Sequence, residues 1–389
     1  LNGAGLSSDE AAASAGIRVL GLAAQRVAES QNKWAGLYRA LGERFELVGT
    51  VHAALPAAWR YALRARHVRP DRAAWRARAA YDPRAFAAIT RSVEPVLEAW
   101  DGQFELIVQL QTIFQPGERA AARTFVVYTD WTHALYARHS PLTSARSAAR
   151  RRSLEAETAR LARHVFTTSE VTRRSFVEDY GCDPQHVTAV GGGANTLASG
   201  PRPESDGPPR ALFVGYDFER KGGEVVLRAW PEVRRRVPGA EILIAGPPAR
   251  AAGGDGVRWL GRVEREDLAD LYRSATVFVL PSLLEPWGFV FHEAMGQGLP
   301  CVATRAFAMP EIVDDGVTGL LVAPGDEAQL ATALADLLGD RARAWRMGEE
   351  GRRRVTANHT WNHVVDRMAP AIVSAAQRSM PPTDARPRP

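Results

Sequence analysis

Short apolar runs recur along the chain, and each is followed by a longer stretch with helical spacing. IRVLGLA (17–23), FELVGTV (45–51), FELIVQL (104–110), TFVVYT (124–129) and HVFTTS (164–169) are rich in Val, Ile, Phe and Thr. Strands buried on both faces of a parallel sheet read this way, because helices cover both sides. Strands alternating with helices predict an α/β layered fold. The rhythm then stops. GGGANTLASGPRPESDGPPR (191–210) is dense in Gly, Pro and Ser and reads as a linker. Beyond it the alternation restarts with ALFVGY (211–216), AEILIAG (240–246), TVFVLPS (276–282), LPCVAT (299–304) and GLLVA (319–323). Two consecutive doubly wound units predict two lobes facing a central cleft. The expected division is 1–205 for an N-terminal domain and 206–358 for a C-terminal one. The helical pattern over 341–378 is expected to bring its last part, 359–378, back onto the first lobe. Residues 1–16 read as a flexible leader and 379–389 as a disordered tail.

Length and composition exclude several classes. A chain of 389 residues suits two or three domains. With 46% hydrophobic and 24% charged residues, bulk disorder, collagen and coiled coil are out. No apolar run reaches the ~18–20 residues that cross a bilayer, and the start has no secretion-signal pattern. The two cysteines, Cys182 and Cys301, cannot build a disulfide framework or a four-thiolate zinc site, so a cytoplasmic setting is expected. The net charge is +5, and nearly all cations are arginine, as a GC-rich bacterial coding bias produces. The lysines are Lys33 and Lys221 alone. Where a lysine persists against such a bias, its compact ammonium is a candidate for use. The modest positive balance permits anionic partners, and nucleic acid is not an expected one.

Two segments can carry chemistry. In LFVGYDFERKGGEVVLRAW (212–230) a strand ends at Gly215, a loop carries Arg220 and Lys221, and Gly222 and Gly223 enter a helix. Two cations then sit at a strand end beside a helix N-terminus, where amides and the macrodipole attract anions. An arginine fork with a lysine point charge suits a diphosphate; a solvated charged loop is the plainer alternative. In PSLLEPWGFVFHEAMGQGLPCVAT (281–304) Glu285 lies in a loop, Gly288 opens a helix and Glu293 lies on it. Amides at 288–290 are placed to meet an anion, and the two carboxylates to accept hydrogen bonds from hydroxyl groups. An isolated E-x7-E can equally be a cap and an ordinary helical glutamate.

The order VGYDFERKGG, then LADLYRSATVFVLPSLLEPWGFVFHEAMGQGLPCVAT, then MPEIVDDGVTGLLVAPGD strongly resembles the retaining glycosyltransferases of family 4, over about residues 210–358. The resemblance implies the GT-B fold, two Rossmann-like domains with the active site between them. It implies transfer of a sugar from a nucleotide-diphosphate sugar, as co-substrate, to a hydroxyl acceptor, with no cofactor and no metal. The acceptor class stays open among glycans, lipid-linked sugars and small natural products. By the same resemblance Arg220 and Lys221 neutralise the diphosphate, Glu293 binds ribose hydroxyls and Glu285 meets the donor sugar. Gly288, Phe289 and Val290 form the turn that contacts phosphate and sugar, and the loop at Arg262 and Val263 edges the base. Tyr216 stands where many members have arginine. The segment AAQRVAESQNKWAGL (23–37) lacks the usual Gly-Gly loop. Asp130, in YTDWTH, falls where many members have histidine and is the candidate polar group on the sugar's face, with His133 as runner-up. A cap or a structural hydrogen bond is the alternative for both. Other enzymes on the same fold, a nucleotide-sugar epimerase or a phosphorylase, and a non-catalytic partner subunit remain rival readings.

Ser169 reads as the cap of a helix starting at Glu170. His359 and His363, four apart, lack a third ligand and read as structural. WRYALRARHVRPDRAAWRARAAY (59–81) holds seven arginines and one aspartate among Trp59, Tyr61, Trp75 and Tyr81. Such a surface can lie on anionic lipid at the inner membrane face, dock an anionic acceptor, or be an exposed helix pair. SARSAARRRS (144–153) has the same ambiguity.

Overall fold

The computed structural model describes residues 16–24, 34–68, 81–139, 144–198, 207–248 and 254–378, with isolated positions between them. The leader 1–15, most of the 23–37 segment including Lys33, parts of 59–81 and the tail 379–389 lie outside the described residues.

The chain divides into two units, 1–191 with 362–389, and 192–361. In the first, β1 (Arg18–Ala23), β2 (Glu46–His52), β3 (Leu106–Leu110), β4 (Phe125–Thr129), β5 (Val165–Thr167) and β6 (Val187–Ala189) form a parallel sheet in the order β2-β1-β3-β4-β5-β6. Every residue of β3 and β4 is buried, as the unbroken apolar runs require. In the second, β7 (Arg210–Val214), β8 (Glu241–Ala245), β9 (Val257–Gly261), β10 (Val277–Leu280), β11 (Cys301–Thr304) and β12 (Gly319–Val322) run parallel in the order β12-β11-β10-β7-β8-β9. Both units are doubly wound, the fold class that the alternating pattern predicts. Each reverses its strand order once, between β1 and β3 and between β7 and β10. Ligands of open α/β sheets bind beyond the carboxyl ends of strands at such points.

The passage between units falls at Gly191, before the Pro-rich stretch. Residues 192–198, which the sequence reading assigns to the first domain, are held by the second. Ala194 pairs with Thr360 in a β-bridge, and the Ala198 amide donates to the Gly296 carbonyl at 3.1 Å. The helix Trp361–Gln377 crosses the second passage, and from Asn362 onward it belongs to the first unit. Asn362 Nδ2 donates to Glu43 Oε2 at 2.9 Å, and Arg367 Nε to the Val190 carbonyl at 2.8 Å.

Local chemistry sets the helix starts. Asp82 caps Pro83–Glu98 by accepting from the Arg84 amide, with Pro83 at the first helical position. Ser169 caps Glu170–Glu178 through the Thr172 amide, where the sequence reading puts it. The helix Ala57–Arg66 buries only Leu63 and exposes Arg60, Tyr61, Arg64 and Arg66. In the basic run 144–153 one cation is not on the surface. Arg151 is buried, paired with Glu155 at 3.1 Å and lying over the Phe86 ring. No helix among the described residues is long and apolar enough to cross a membrane.

Candidate functional site

At the carboxyl end of β7 the backbone is drawn tight. Gly246, at φ 113°, lies so close to Gly215 that an added Cβ would meet its carbonyl carbon at 2.8 Å. A side chain at Gly215 would press on Lys221 Cγ at 3.2 Å. The following turn is closed by Lys221, Gly222 and Gly223 amides donating to the carbonyls of Asp217, Glu219 and Phe218. Phe218 anchors the turn by packing on Phe213 and Trp259. Gly222 then caps the helix Gly223–Arg236 in the left-handed region at φ 77°. A Cβ there would lie 2.0 Å from the Pro281 carbonyl oxygen. Glycine at 222 therefore lets the β7 turn sit against the chain leaving β10.

That contact gathers the predicted cations and one predicted acid. Lys221 Nζ pairs with Glu285 Oε2, and both side chains are largely buried. Arg220 Nη1 lies 3.9 Å from the same oxygen and donates to the Leu284 carbonyl at 2.7 Å, while its Nε donates to Asp217 Oδ2 at 2.8 Å. Ser282 Oγ donates to Glu285 Oε2 at 3.4 Å. The cluster sits where β7 and β10 part, the switch point of this sheet. It is charge-balanced, with Asp217 and Glu285 against Arg220 and Lys221. Motif reading finds the cations, but Asp217 and Ser282 enter only through the fold. Tyr216 is 68% exposed.

Gly288, at φ 85°, opens the helix Phe289–Gly296 from the left-handed region. A Cβ would meet Phe291 Cδ2 at 2.8 Å, so no larger residue fits this entry. Phe289 and Val290 follow in the first turn, where amides have no acceptor within the helix. Glu293 is buried on that helix, within reach of Asn195 Nδ2 at 3.5 Å and the Tyr272 hydroxyl at 3.4 Å. Its neighbour His292 is fully buried against Trp287 and His359, and burial holds its imidazole well below the ordinary range. Val263 is half-buried on the loop after β9, at the same edge of the sheet, beside the Arg262–Glu264 ion pair.

Asp130 and His133 belong to the first unit. Asp130 is buried at the end of β4, and its carbonyl accepts from Thr172 Oγ1 at 3.1 Å. The capping interaction falls to Thr132, whose Oγ1 accepts from the Leu135 amide at 3.2 Å. His133 is buried beside Tyr81, and burial lowers its pKa. Among the described residues its ring nitrogens meet no hydrogen-bond partner. No group of three or more His, Cys, Asp or Glu side chains there could hold a metal ion.

Residues 208–340 match the family model described as glycosyl transferases group 1. A D-inositol 3-phosphate glycosyltransferase of Corynebacterium kroppenstedtii is 34% identical over 228 residues, 51% of this chain and 51% of that protein. The chain thus spans about half the length of that curated relative. Two solved structures share the fold. Sucrose-phosphate synthase from Thermosynechococcus elongatus superposes with TM-score 0.68 at 19% identity, covering 93% of this chain and 100% of that one. HepE of Anabaena, in complex with UDP and glucose, does so with TM-score 0.64 at 15% identity, covering 92% of this chain and 100% of that one.

Proposed function

We propose, from the match of residues 208–340 to the glycosyl transferases group 1 family model, that this chain is a retaining glycosyltransferase. It takes a nucleotide-diphosphate sugar as donor and a hydroxyl acceptor, and needs no metal. One observation carries the reading: Arg220, Lys221 and Glu285 meet at the β7/β10 switch point, beside the chain that leads to the Gly288 turn. The relatives' names supply the reaction class, and HepE was solved with UDP and glucose.

The chemical task is loss of a nucleoside diphosphate. As the bond from the anomeric carbon to phosphate oxygen breaks, the electron pair leaves with the phosphate. Arg220, Lys221 and the first-turn amides stabilise that charge, and loss of one such group costs about 2.7–4 kcal/mol, or 100–1,000-fold in turnover. Glu293 accepts hydrogen bonds from ribose hydroxyls, Val263 edges the base, and Glu285 meets the sugar. The acceptor oxygen bonds to the anomeric carbon on the face the phosphate leaves, and its proton passes to the departing phosphate. Asp130 stays the candidate polar group for the donor sugar. A cytoplasmic enzyme touching anionic lipid through the Ala57–Arg66 helix fits the exposed Arg60, Tyr61, Arg64 and Arg66.

The test is a thermal-shift screen of UDP-, GDP-, ADP- and TDP-sugars, since a tight ligand raises the melting temperature by mass action. Lys221→Ala is expected to abolish the shift given by the responding donor. A shift that survives in that variant removes the phosphate assignment. Transfer is expected to persist in EDTA, and a strict Mg²⁺ requirement contradicts the metal-free mechanism.

A further inference from the structure

Asn195 lies just after the chain enters the second unit, and Trp361 just before it leaves. The two passages are tied together. Ala194 and Thr360 form a parallel bridge, and the Ala194 amide donates to the His359 carbonyl at 2.8 Å. Glycines make the approach possible. A Cβ at Gly192 would lie 2.4 Å from Trp287 Nε1, and one at Gly193 would lie 2.5 Å from the Trp361 ring.

Trp361 Nε1 donates to Asn195 Oδ1 at 2.8 Å. An indole N–H can only donate, so the amide oxygen must face it. The Asn195 amide therefore has one orientation, with its NH2 group turned away from Trp361. There it meets Glu293 Oε1 at 3.5 Å. The other carboxylate oxygen receives the Tyr272 hydroxyl at 3.4 Å. Two donors from separate parts of the chain thus aim the carboxylate. The Trp361 ring is itself stacked on Phe289, the first residue of the helix that carries Glu293, with centroids 5.7 Å apart.

We infer that Asn195 is a positioning residue for the Glu293 carboxylate, its own amide set by Trp361. The inference rests on the reading of Glu293 as the ribose-binding acid, and adds the side chains that hold it in place. It predicts a selective defect. Removing the Asn195 donor disturbs recognition of ribose hydroxyls and leaves the pyrophosphate grip of Arg220 and Lys221 intact.

The test compares binding of UDP, GDP and ADP with that of their 2′,3′-dideoxy counterparts, and of inorganic pyrophosphate, by calorimetry on the full chain. In the wild-type protein the ribose form of the accepted nucleotide is expected to bind roughly 10-fold or more tightly than the dideoxy form, the scale of hydrogen bonds to a charged group. In Asn195→Leu this preference is expected to fall towards one, with pyrophosphate affinity within about twofold of wild type. Trp361→Phe keeps a ring on Phe289 but frees the amide to turn, and is expected to lose part of the preference in the same direction. It carries the test if the leucine variant does not fold. A full preference in a folded Asn195→Leu protein overturns the inference while leaving the ribose reading standing. Parallel loss of nucleotide and pyrophosphate binding also overturns it, by showing a merely structural role. A wild-type protein indifferent to the ribose hydroxyls overturns the reading of Glu293 itself, and this inference with it.

Discussion

Lys221 and Glu285 pair with one another, and Arg220 is shared between Asp217 and the Leu284 carbonyl. On the proposed reading, a diphosphate competes with the Glu285 carboxylate for the Lys221 ammonium. This separates the two residues experimentally. Lys221→Ala removes the cation and is expected to weaken free nucleoside diphosphate at least tenfold. Glu285→Gln removes the competitor at constant shape. It is expected to tighten nucleoside diphosphate binding severalfold while lowering transfer, with calorimetry and turnover measured on the same preparation. Weaker diphosphate binding in Glu285→Gln would mean that the carboxylate orients the cations and does not compete for them. The motif order made both residues legible. Their pairing was not, because 64 positions separate them and only the β7–β10 contact brings them together.

The site is held by the way elements end. Gly222 allows the β7 turn and the β10 exit to touch, so Gly222→Ala introduces both a left-handed non-glycine residue and a collision with the Pro281 carbonyl. The backbone strain alone costs of order 1–3 kcal/mol, and the urea midpoint is expected to fall accordingly, with loss of nucleotide binding. In the first unit, Glu155 on the helix Ala145–Leu161 accepts from Arg151, the His133 amide and the Tyr180 hydroxyl. Glu155→Ala strands a buried guanidinium and is expected to cost about 3–5 kcal/mol, read as a drop in melting temperature. The run 144–153 looked like uniform surface charge because arginine spacing does not reveal which residue turns inward. The strand Val187–Ala189 escaped the pattern for a related reason. Its three residues bear one buried side chain, too few to stand out from a turn.

Across the whole molecule, acid stability follows from histidines buried without charge. His292 and His133 are held below their ordinary range by burial, and His164 is lowered to about 4 by burial with help from His186 and Arg378. Unfolded, each takes up a proton near pH 6.5; folded, each resists. The unfolded state therefore binds more protons below that value, and stability falls as pH drops from about 6.5 towards about 4. Glu94, lowered to about 2 by its hydrogen bonds to Arg123 and Arg119, acts later. Its stabilisation is present above the ordinary carboxylate range and disappears as pH falls through about 2. A melting temperature that declines below pH 6.5, before carboxylates titrate, is the expected profile. One that stays level down to pH 5 would show these histidines accessible to protons.

Sequence alone determined the alternation of strand and helix, the existence of two doubly wound units and the residue types of the Arg220–Lys221 corner, because periodicity and short motifs are local. The tertiary structure decided where the chain changes units, that each cation of the corner meets a carboxylate, and that Asn195, Tyr272 and Trp361 converge around Glu293. Those facts depend on contacts between segments 21 to 166 positions apart. Only chain folding, through strand order and close glycine approaches, sets such contacts.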